Sequence, residues 1–268
     1  MSSPKVLVLR APGINCERET HHAFARAGGS PEFLHIHQLL ADPGQLDTFQ
    51  ILVVPGGFAY GDDISSGRVL AQEMRHKLGN RVLQFVERGG LVLGICNGFQ
   101  VLVRLGLLPC TRDKLEEEVT LTHNLSGHYE CRWVTLQTQT SRCVFLPAGL
   151  TMRWPAAHGE GRLIARDAAL QNLLVSEGYA TVLYVDAAGK ATERYPDNPN
   201  GAPLGIAGLT NRTGRVLGVM PHPDRSYLPT HMPNWRRTAI AQGQGQLPID
   251  GDGMVVFREM VKVAKAEA

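Results

Sequence analysis

The chain lacks the features that mark several large classes of protein. Its 27 basic and 25 acidic side chains leave a net charge of only +2, so nothing favours nucleic acid or an acidic membrane as a partner. Its five cysteines include no CxxC pair, which argues against a zinc site or a disulfide framework and favours a reducing compartment. The apolar run Val6–Leu9 near the start is too short for a signal peptide or a membrane span. We therefore expect a cytoplasmic protein whose 268 residues form a sizeable core without a structural metal.

Nucleotide-binding and metal-binding patterns are also absent. There is no GxGxxG fingerprint and no Walker A lysine, so we expect this chain to bind no nucleotide cofactor. Two pairs of histidines, His21-His22 and His35/His37, have no carboxylate or cysteine at a familiar ligand spacing, although the second pair is predicted to share one face of a strand. Asp62-Asp63 stands in a glycine-flanked loop and is predicted to be solvated. None of these groups indicates a metal site.

Short apolar segments in the first hundred residues predict a buried parallel sheet. KVLVL (Lys5–Leu9), QILVV (Gln50–Val54) and LVLGI (Leu91–Ile95) are nearly continuous in hydrophobicity, as are strands that helices cover on both faces. Segments with helical spacing, Glu17–Ala27 and Ser65–Arg88, lie between them. This alternation predicts an α/β fold with an open, mainly parallel, doubly wound sheet and helices on both faces.

The rest of the chain contains further predicted strands and a loop. The strands are RWVTL (Arg132–Leu136), GRLIA (Gly161–Ala165), ATVLYV (Ala180–Val185) and RVLGVM (Arg215–Met220). Turns with Gly and Pro separate the first three, which indicates an added antiparallel layer. YPDNPNGAP (Tyr195–Pro203) is a loop by composition. We find no repeat or linker, so residues 1–268 are predicted to be one domain, with residues 225–268 as an extended tail that closes in an amphipathic helix over Met254–Lys265.

The motif GICNG (Gly94–Gly98) is the sharpest chemical signal. It follows a predicted strand directly and precedes a helical segment, which is the arrangement of a nucleophile elbow with cysteine in the place of serine. The N-terminus of a helix stabilises a thiolate, the reactive form of Cys96. The motif alone leaves open a second interpretation, in which Cys96 is an ordinary core cysteine after a strand.

A cysteine nucleophile needs a base, and His222 is the best candidate among the ten histidines. It follows a predicted strand within Pro221-His222-Pro223-Asp224, where the carboxylate of Asp224 stands two residues away. That carboxylate could orient the imidazole and stabilise its charged form. Without Cys96, a turn histidine beside a solvated aspartate would be the simpler interpretation.

A third motif, Pro55-Gly56-Gly57-Phe58, also follows a predicted strand. Two glycines allow backbone N–H groups to approach a substrate oxygen closely. In an open α/β sheet the sites lie beyond the carboxyl ends of the strands, where Gly57, Cys96 and His222 would meet. We therefore predict an oxyanion hole from the backbone amides of Gly57 and Asn97, although a simple tight turn at Gly56-Gly57 is the alternative.

With these residues identified, the chain resembles the class I, or triad, glutamine amidotransferases. More closely, it resembles the branch that serves as glutaminase subunits of phosphoribosylformylglycinamidine synthases. The shared motifs are APGINC (Ala11–Cys16), PGGFAYGDD (Pro55–Asp63), GICNGFQVL (Gly94–Leu102), GLLP (Gly106–Pro109), AHGEGR (Ala157–Arg162), NPNGA (Asn198–Ala202) and GRVLGVMPHPDR (Gly214–Arg225). GxCxGxQ and HPx occur in all triad amidotransferases, whereas PGGFxYGD, NGFQ, AHGEG and NPNG are specific to this branch.

The resemblance implies a flavodoxin-like glutaminase. Cys96 would be the nucleophile, His222 the base and Asp224 the orienting acid, and Gln100 would help to hold glutamine. Cys96 would form a thioester, and the released ammonia would pass to an ATP- and Mg²⁺-dependent synthetase subunit that works with a small accessory subunit. His158 in AHGEG is expected to face that partner, and the AHGEG and NPNG motifs are expected to be surface loops.

The chain departs from the family pattern in two places. Asp224 stands where the family has Glu, so the third member of the triad is shorter by one methylene and would need a closer backbone or a bridging water to reach His222. The tail after Arg225 is longer than in compact members of the family. Two other functions are the alternatives: a cysteine hydrolase of the DJ-1 or protease-like kind, and a non-catalytic flavodoxin-like module.

Overall fold

A computed structural model describes residues 3–112, 114–241 and 247–267 of the chain. Eleven strands form within these residues. They are β1 (Lys5–Arg10), β2 (Ser30–His35), β3 (Ile51–Val54), β4 (Leu91–Ile95), β5 (Val119–His123), β6 (Glu130–Thr138), β7 (Thr151–His158), β8 (Glu160–Ala165), β9 (Ala180–Tyr184), β10 (Ile206–Thr210) and β11 (Val216–Val219).

The same residues form eight α-helices, which pack around the sheet or close its ends. They are α1 (Glu17–Arg26), α2 (Ile36–Ala41), α3 (Arg68–Lys77), α4 (Asn80–Glu87), α5 (Asn97–Leu105), α6 (Ala168–Ser176), α7 (Trp235–Ala241) and α8 (Met254–Ala266). None of the helices that the described residues form has the length and apolar character needed to cross a membrane.

Nine of the strands make one mixed sheet in the order β2-β1-β3-β4-β11-β10-β9-β6-β7. The first five strands in that order are all parallel. The remaining four pair antiparallel to their neighbours, and β5 and β8 form a separate antiparallel pair. The predicted fold class, an α/β fold with a flavodoxin-like, mainly parallel sheet, is confirmed. Of the strands predicted in the middle of the chain, β6 and β9 are antiparallel but continue the main sheet, and only β8 lies outside it, paired with β5.

The buried parallel strands follow from their composition. Every residue of β3, β4 and β11 is buried, because helices cover both faces of this part of the sheet and leave no position for a polar side chain. The helical segment predicted over Ser65–Arg88 begins at Arg68 and divides into α3 and α4 around Gly79, which has a positive φ of 31°. Such a backbone conformation favours glycine and ends α3 there.

Some elements escaped prediction. The strands β2, β7 and β10 carry Pro, exposed charge or a central Gly, so their sequences do not show a clean strand pattern. The prediction that His35 and His37 share a strand face is wrong: His35 ends β2, and its side chain caps α2, which contains His37. Ring nitrogens of histidine can cap a helix in this way because they accept hydrogen bonds from backbone amides.

The carboxyl ends of the five parallel strands lie at one edge of the sheet. Because β10, β9, β6 and β7 alternate in direction, the carboxyl ends of β9 and β7 point to that same edge. Strand β7 is the outermost strand, yet the carbonyl of its Pro155 accepts a hydrogen bond from the backbone N–H of His222 at 2.8 Å. The antiparallel half therefore curls over the carboxyl edge, as twisted sheets do.

The predicted closing helix is confirmed as α8, and it packs on α1. The described residues just before α8 lie against the turn that follows His222. The backbone N–H of Gly253 donates to the carbonyl of Ser226 at 3.0 Å, and a Cβ on Gly253 would come within 2.0 Å of the Pro223 oxygen. This part of the tail therefore supports the His222 turn from behind.

Candidate active site

Cys96 lies on a sharp turn between β4 and α5. Its φ is +51° and its ψ is −107°, a conformation that a residue with a side chain adopts only under strain. The turn is tight because Gly98 in the first turn of α5 rests on β3, where a Cβ would lie 1.8 Å from the Val54 oxygen. The strained turn presents the Cys96 thiol, which is 7% exposed, at the N-terminus of α5.

His222 and Asp224 form a buried pair beside Cys96. His222 follows β11 in the sequence, and its Nδ1 lies 3.1 Å from Oδ1 of Asp224. The two side chains are 2% and 0% exposed. The contact is direct, so the shorter side chain of Asp224 needs no bridging water to reach the imidazole. The second carboxylate oxygen, Oδ2, accepts a hydrogen bond of 3.3 Å from the hydroxyl of Thr20 on α1.

The electrostatic balance at His222 favours the imidazolium. Burial by itself lowers the pKa of His222, but the carboxylate of Asp224 and the negative charge of Cys96 act against burial and prevail. The pKa of His222 therefore lies well above its ordinary value of 6.5. A charged imidazole held next to a thiol is the arrangement that activates cysteine nucleophiles.

Two glycines in the connection between β3 and α3 lie at the same edge of the sheet as Cys96 and His222. A Cβ on Gly56 would lie 2.9 Å from Cε1 of His222, so only glycine leaves the ring its place. Gly57 has a φ of +146°, and its Cβ would lie 2.6 Å from the Gly13 oxygen. Within the described residues, the backbone N–H groups of Gly57 and Asn97 donate to no acceptor. These two amides are therefore free for a substrate oxygen.

The side chains of Asn97 and Gln100 form a buried relay. Asn97 accepts from the backbone of Ala59 at 2.9 Å and donates to both Asp62 and Gln100, also at 2.9 Å. Gln100 in turn donates to the carbonyl of Glu160 at 2.6 Å. The sequence-based expectation that Asp62 is merely solvated is wrong, because this carboxylate anchors Asn97. Direct contact between Gln100 and glutamine remains a prediction.

A second cysteine at the site was missed from the sequence. Cys16 occupies the N-cap position of α1, its thiol donates to Oδ1 of Asn15 at 3.2 Å, and its sulfur lies within 4.8 Å of a ring nitrogen of His222. Arg225 also donates to the Cys16 sulfur at 2.9 Å. Burial raises the pKa of the Cys16 thiol, with further upward pressure from Asp224. Only the position of Cys16 in the APGINC motif hinted at a role, and no spacing in the sequence relates it to His222, which follows more than two hundred residues later.

Cys16, His222 and Asp224 also resemble a metal-ligand set, with ligand atoms within 4.8 Å of one another. The polar atoms of this set already have partners, because Asp224 bonds His222 and Arg225 bonds Cys16. The raised pKa of Cys16 also disfavours the thiolate that a metal would require. We therefore interpret the three residues as a hydrogen-bonded cluster.

The AHGEG and NPNG motifs do not form surface loops, in contrast to the expectation from sequence. His158, Asn198 and Asn200 are buried, with exposed fractions of 3%, 1% and 0%. Their side chains hydrogen bond with Asn124, with backbone groups and with the hydroxyl of Tyr184. Asparagine and histidine are polar, so composition suggested exposure, but paired polar groups can be buried at low cost.

The chain is similar to known glutamine amidotransferases over nearly its whole length. The family described as "CobB/CobQ-like glutamine amidotransferase domain" matches residues 3–263. The phosphoribosylformylglycinamidine synthase subunit PurQ of Dehalococcoides mccartyi is 43% identical, with 99% of each chain covered. The subunit of the same name from Methanococcus maripaludis is 41% identical, over 91% of this chain and 90% of that protein.

The fold is also that of a solved relative. A chain in the structure of PurLQS from Thermotoga maritima superposes with a TM-score of 0.70 at 29% identity, covering 97% of this chain and 98% of that one. The turns that carry Cys96, His222 and Gly57 therefore occur in a chain that is more than 40% identical to two PurQ subunits. The chain belongs to the glutamine amidotransferase family, in the branch of the PurQ subunits of phosphoribosylformylglycinamidine synthase.

Proposed function

We propose that this chain is the glutaminase subunit of a phosphoribosylformylglycinamidine synthase and that Cys96, His222 and Asp224 are its catalytic residues. One observation carries the assignment of the residues. The buried pair of His222 and Asp224, the strained Cys96 turn and two unused backbone amides meet at one edge of the sheet. An activated thiol, a base oriented by an acid, and donors for the oxyanion are the groups that acyl transfer from an amide uses.

The reaction begins with attack of the Cys96 sulfur on the side-chain carbonyl carbon of glutamine. The amides of Gly57 and Asn97 hold the oxygen as it becomes negative, and each such donor contributes about 2.7–4 kcal/mol to the transition state. The imidazolium of His222 gives its proton to the nitrogen as the C–N bond breaks, so the nitrogen leaves as ammonia and a thioester remains. Water then attacks the thioester, gives a proton back to His222, and releases glutamate and the Cys96 thiolate.

Ammonia is the product that a partner subunit would use. The PurLQS structure shows a relative of this chain in a complex with that name. We propose that a synthetase subunit of the PurL kind, with a small accessory subunit, receives the ammonia and uses it with ATP to make formylglycinamidine ribonucleotide. The glutaminase chemistry needs no cofactor from this chain. It does need a free thiol at Cys96, which suits the cytoplasm.

The test is to label and assay the parent protein together with its synthetase. A diazo-ketone analogue of glutamine should modify Cys96, and glutamate release should depend on glutamine and rise when the synthetase complex is present. Peptide mapping by mass spectrometry identifies the labelled cysteine. Cys143 serves as an internal control, because it lies in the connection between β6 and β7 at the opposite edge of the sheet, where its neighbours Arg142 and Val144 donate to the carbonyls of Gly178 and Gly214.

Two results would overturn the proposal. One is a label on Cys16 or Cys110 with Cys96 unmodified. The other is the absence of glutamate release from the assembled complex while the synthetase still uses free ammonia. A cysteine hydrolase of another kind would instead cleave peptides or esters and ignore glutamine.

A further inference from the structure

His158 is a buried histidine that the proposed chemistry does not use. It ends β7 at the same sheet edge as Cys96, and its side chain is almost fully enclosed, with the residue 3% exposed. Its neighbour Ala157 offers the carbonyl oxygen that lies 3.7 Å from the Cys96 sulfur. His158 also lies close enough to His222 for the charge of His222 to lower its pKa, second to the effect of burial. His158 therefore stands in the wall of the candidate active site.

The hydrogen bonds of Asn124 determine which ring nitrogen of His158 carries the proton. The Asn124 amide nitrogen donates to the carbonyls of His128 and His158, at 3.0 and 2.8 Å. Its Oδ1 accepts from the backbone N–H of Gly161 at 3.1 Å, so the orientation of the amide is unambiguous. Nδ1 of His158 lies 3.2 Å from this same Oδ1 and must therefore be the donor.

The other nitrogen, Nε2, is left as an acceptor. Burial holds the pKa of His158 at about 3, so the ring is neutral and Nε2 carries a lone pair. No donor among residues 3–112, 114–241 and 247–267 reaches this buried atom. Buried acceptors in proteins are almost always satisfied, so we expect a donor other than these residues to use Nε2 during function.

The chemistry of the site identifies that donor. Among the species formed there, ammonia has three N–H donors and no charge, and it is released at Cys96, whose sulfur lies 3.7 Å from the carbonyl of Ala157, the neighbour of His158. An ordinary histidine is partly protonated near neutral pH and could convert ammonia to unreactive ammonium. A ring with a pKa of about 3 accepts a hydrogen bond without offering a proton from Nε2. His158 is therefore suited to hold ammonia and leave it nucleophilic.

We propose that Nε2 of His158 is the first hydrogen-bond acceptor for ammonia after it leaves Cys96, and that this contact directs ammonia toward the synthetase. This inference rests on the proposed glutaminase function. His158 takes no part in bond breaking, since the proton on the leaving nitrogen comes from His222. Its contribution is to keep the product on the path to the partner, so its loss should separate glutamate release from ammonia use.

Two isosteric substitutions test the two nitrogens separately. His158→Asn keeps an amide near the Nδ1 position and loses the acceptor near Nε2, whereas His158→Gln keeps an acceptor near Nε2. Each variant is assembled with the synthetase and accessory subunits, and glutamate release is measured together with synthetase product. His123→Asn is the matched control, because His123 is an exposed histidine on the neighbouring strand β5.

The ratio of glutamate to synthetase product is the decisive quantity, because a merely structural defect lowers both together. For His158→Asn we expect this ratio to rise by about two- to tenfold, the equivalent of one net hydrogen bond. His158→Gln and His123→Asn should retain the parent ratio, and all variants should use free ammonia as the parent does. Equal ratios in His158→Asn and the parent, or in the two His158 variants, would refute the inference.

A measurement on the unaltered chain covers the case in which the variants fail to fold. In protein labelled with ¹⁵N-histidine, Nε2 of His158 should resonate as an unprotonated nitrogen, and the signal should shift when ammonium chloride is added at alkaline pH. Potassium chloride is the control for ionic strength. A protonated Nε2, or no shift with ammonia, contradicts the inference. Absence of glutamate release in every form, the parent included, would instead contradict the proposed function.

Discussion

Two cysteines, Cys16 and Cys96, each begin a helix at the same sheet edge, and both lie near His222. They differ in what surrounds the sulfur. At Cys16 the backbone amides of Asn15 and Cys16 both donate to the Gly56 oxygen, at 3.3 and 3.2 Å, so neither is available to a substrate. The amide that follows each cysteine, that of Glu17 or of Asn97, donates to no acceptor within the described residues, so this amide does not distinguish the two positions. The backbone does distinguish them, because φ is −106° at Cys16 and a strained +51° at Cys96. A helix N-terminus and a nearby histidine are therefore insufficient; the reactive thiol also lies on a strained turn.

The two thiols also differ in their hydrogen-bond partners and in their exposure. The Cys16 thiol already has hydrogen-bond partners in Arg225 and Asn15, and the residue is 0% exposed, whereas Cys96 is 7% exposed. Cys16 therefore belongs to the residues that hold His222 in place, whereas Cys96 is the thiol that His222 activates. The comparison makes opposite predictions for the same substitution at the two positions.

The largest expected effect is that of Cys96→Ser. Loss of the nucleophile should lower glutamine-dependent turnover by on the order of 10⁴-fold or more, by analogy with triad hydrolases. Synthesis from free ammonia by the assembled complex should be unchanged, because the partner performs that step. Glutamate release and ammonia-dependent product formation are measured side by side. A Cys96→Ser complex that hydrolyses glutamine at the parent rate would reverse the roles of the two thiols.

A smaller loss is expected for Asp224→Ala. The carboxylate orients and charges His222 but transfers no proton, so turnover should fall by on the order of 10²- to 10⁴-fold and stay above background. Sequence alone suggests that Asp224→Glu retains much of the activity. The direct 3.1 Å contact and complete burial of Asp224 leave no room for another methylene, so we expect a clear loss there too. Steady-state glutamate release with the partner present distinguishes these outcomes; parent activity in Asp224→Ala would remove Asp224 from the triad.

The pair of His222 and Asp224 also predicts a pH-dependent stability. The pKa of His222 is raised well above 6.5, since the charge of Asp224 and that of Cys96 outweigh the lowering by burial. A raised pKa stabilises the folded chain fully below the unfolded pKa, and this stabilisation disappears as the pH rises through the folded pKa. Asp224→Asn should therefore be most destabilising at about pH 6 and progressively less so toward about pH 9.

Urea unfolding of the two proteins across this pH range provides the measurement. Asp197→Asn is the matched control, because Asp197 is an exposed carboxylate that precedes the buried Asn198. Its effect on the free energy of unfolding should be small and independent of pH. If the effect of Asp224→Asn is equally flat, the carboxylate does not raise the pKa of His222.

The smallest effect belongs to Cys16→Ser. Serine can keep the hydrogen bonds to Asn15 and Arg225, although its C–O bond is shorter than the C–S bond of cysteine, so glutamine turnover should stay within about threefold of the parent. The free energy of unfolding should fall by about 1 kcal/mol, because the hydroxyl fills less of a buried site than sulfur. A loss comparable to that of Cys96→Ser would show that Cys16 takes part in the chemistry and would end the distinction between the two thiols.

The sequence by itself determined the elements whose signal is local. A buried parallel strand is a short apolar run, and the turn after it needs glycine, so β1, β3, β4 and β11 and the turns at Gly57, Cys96 and His222 could be located from neighbouring residues alone. The meeting of these turns followed from the rule that parallel strands end at one edge. The helix α8 could also be predicted locally, from the helical spacing of its apolar residues.

Only the tertiary structure decided which polar residues lie at the site. Thr20 and Asp224 stand 204 positions apart, and His158 and Asn124 stand 34 apart, so no local period connects them. Their sequences contain the polar residue types of exposed loops. Folding brings each pair together from separate elements: Thr20 on α1 meets Asp224 in the turn after β11, and Asn124 after β5 meets His158 at the end of β7. A polar side chain is buried only where it has a hydrogen-bond partner. When that partner is distant in sequence, the neighbouring residues give no signal of the burial.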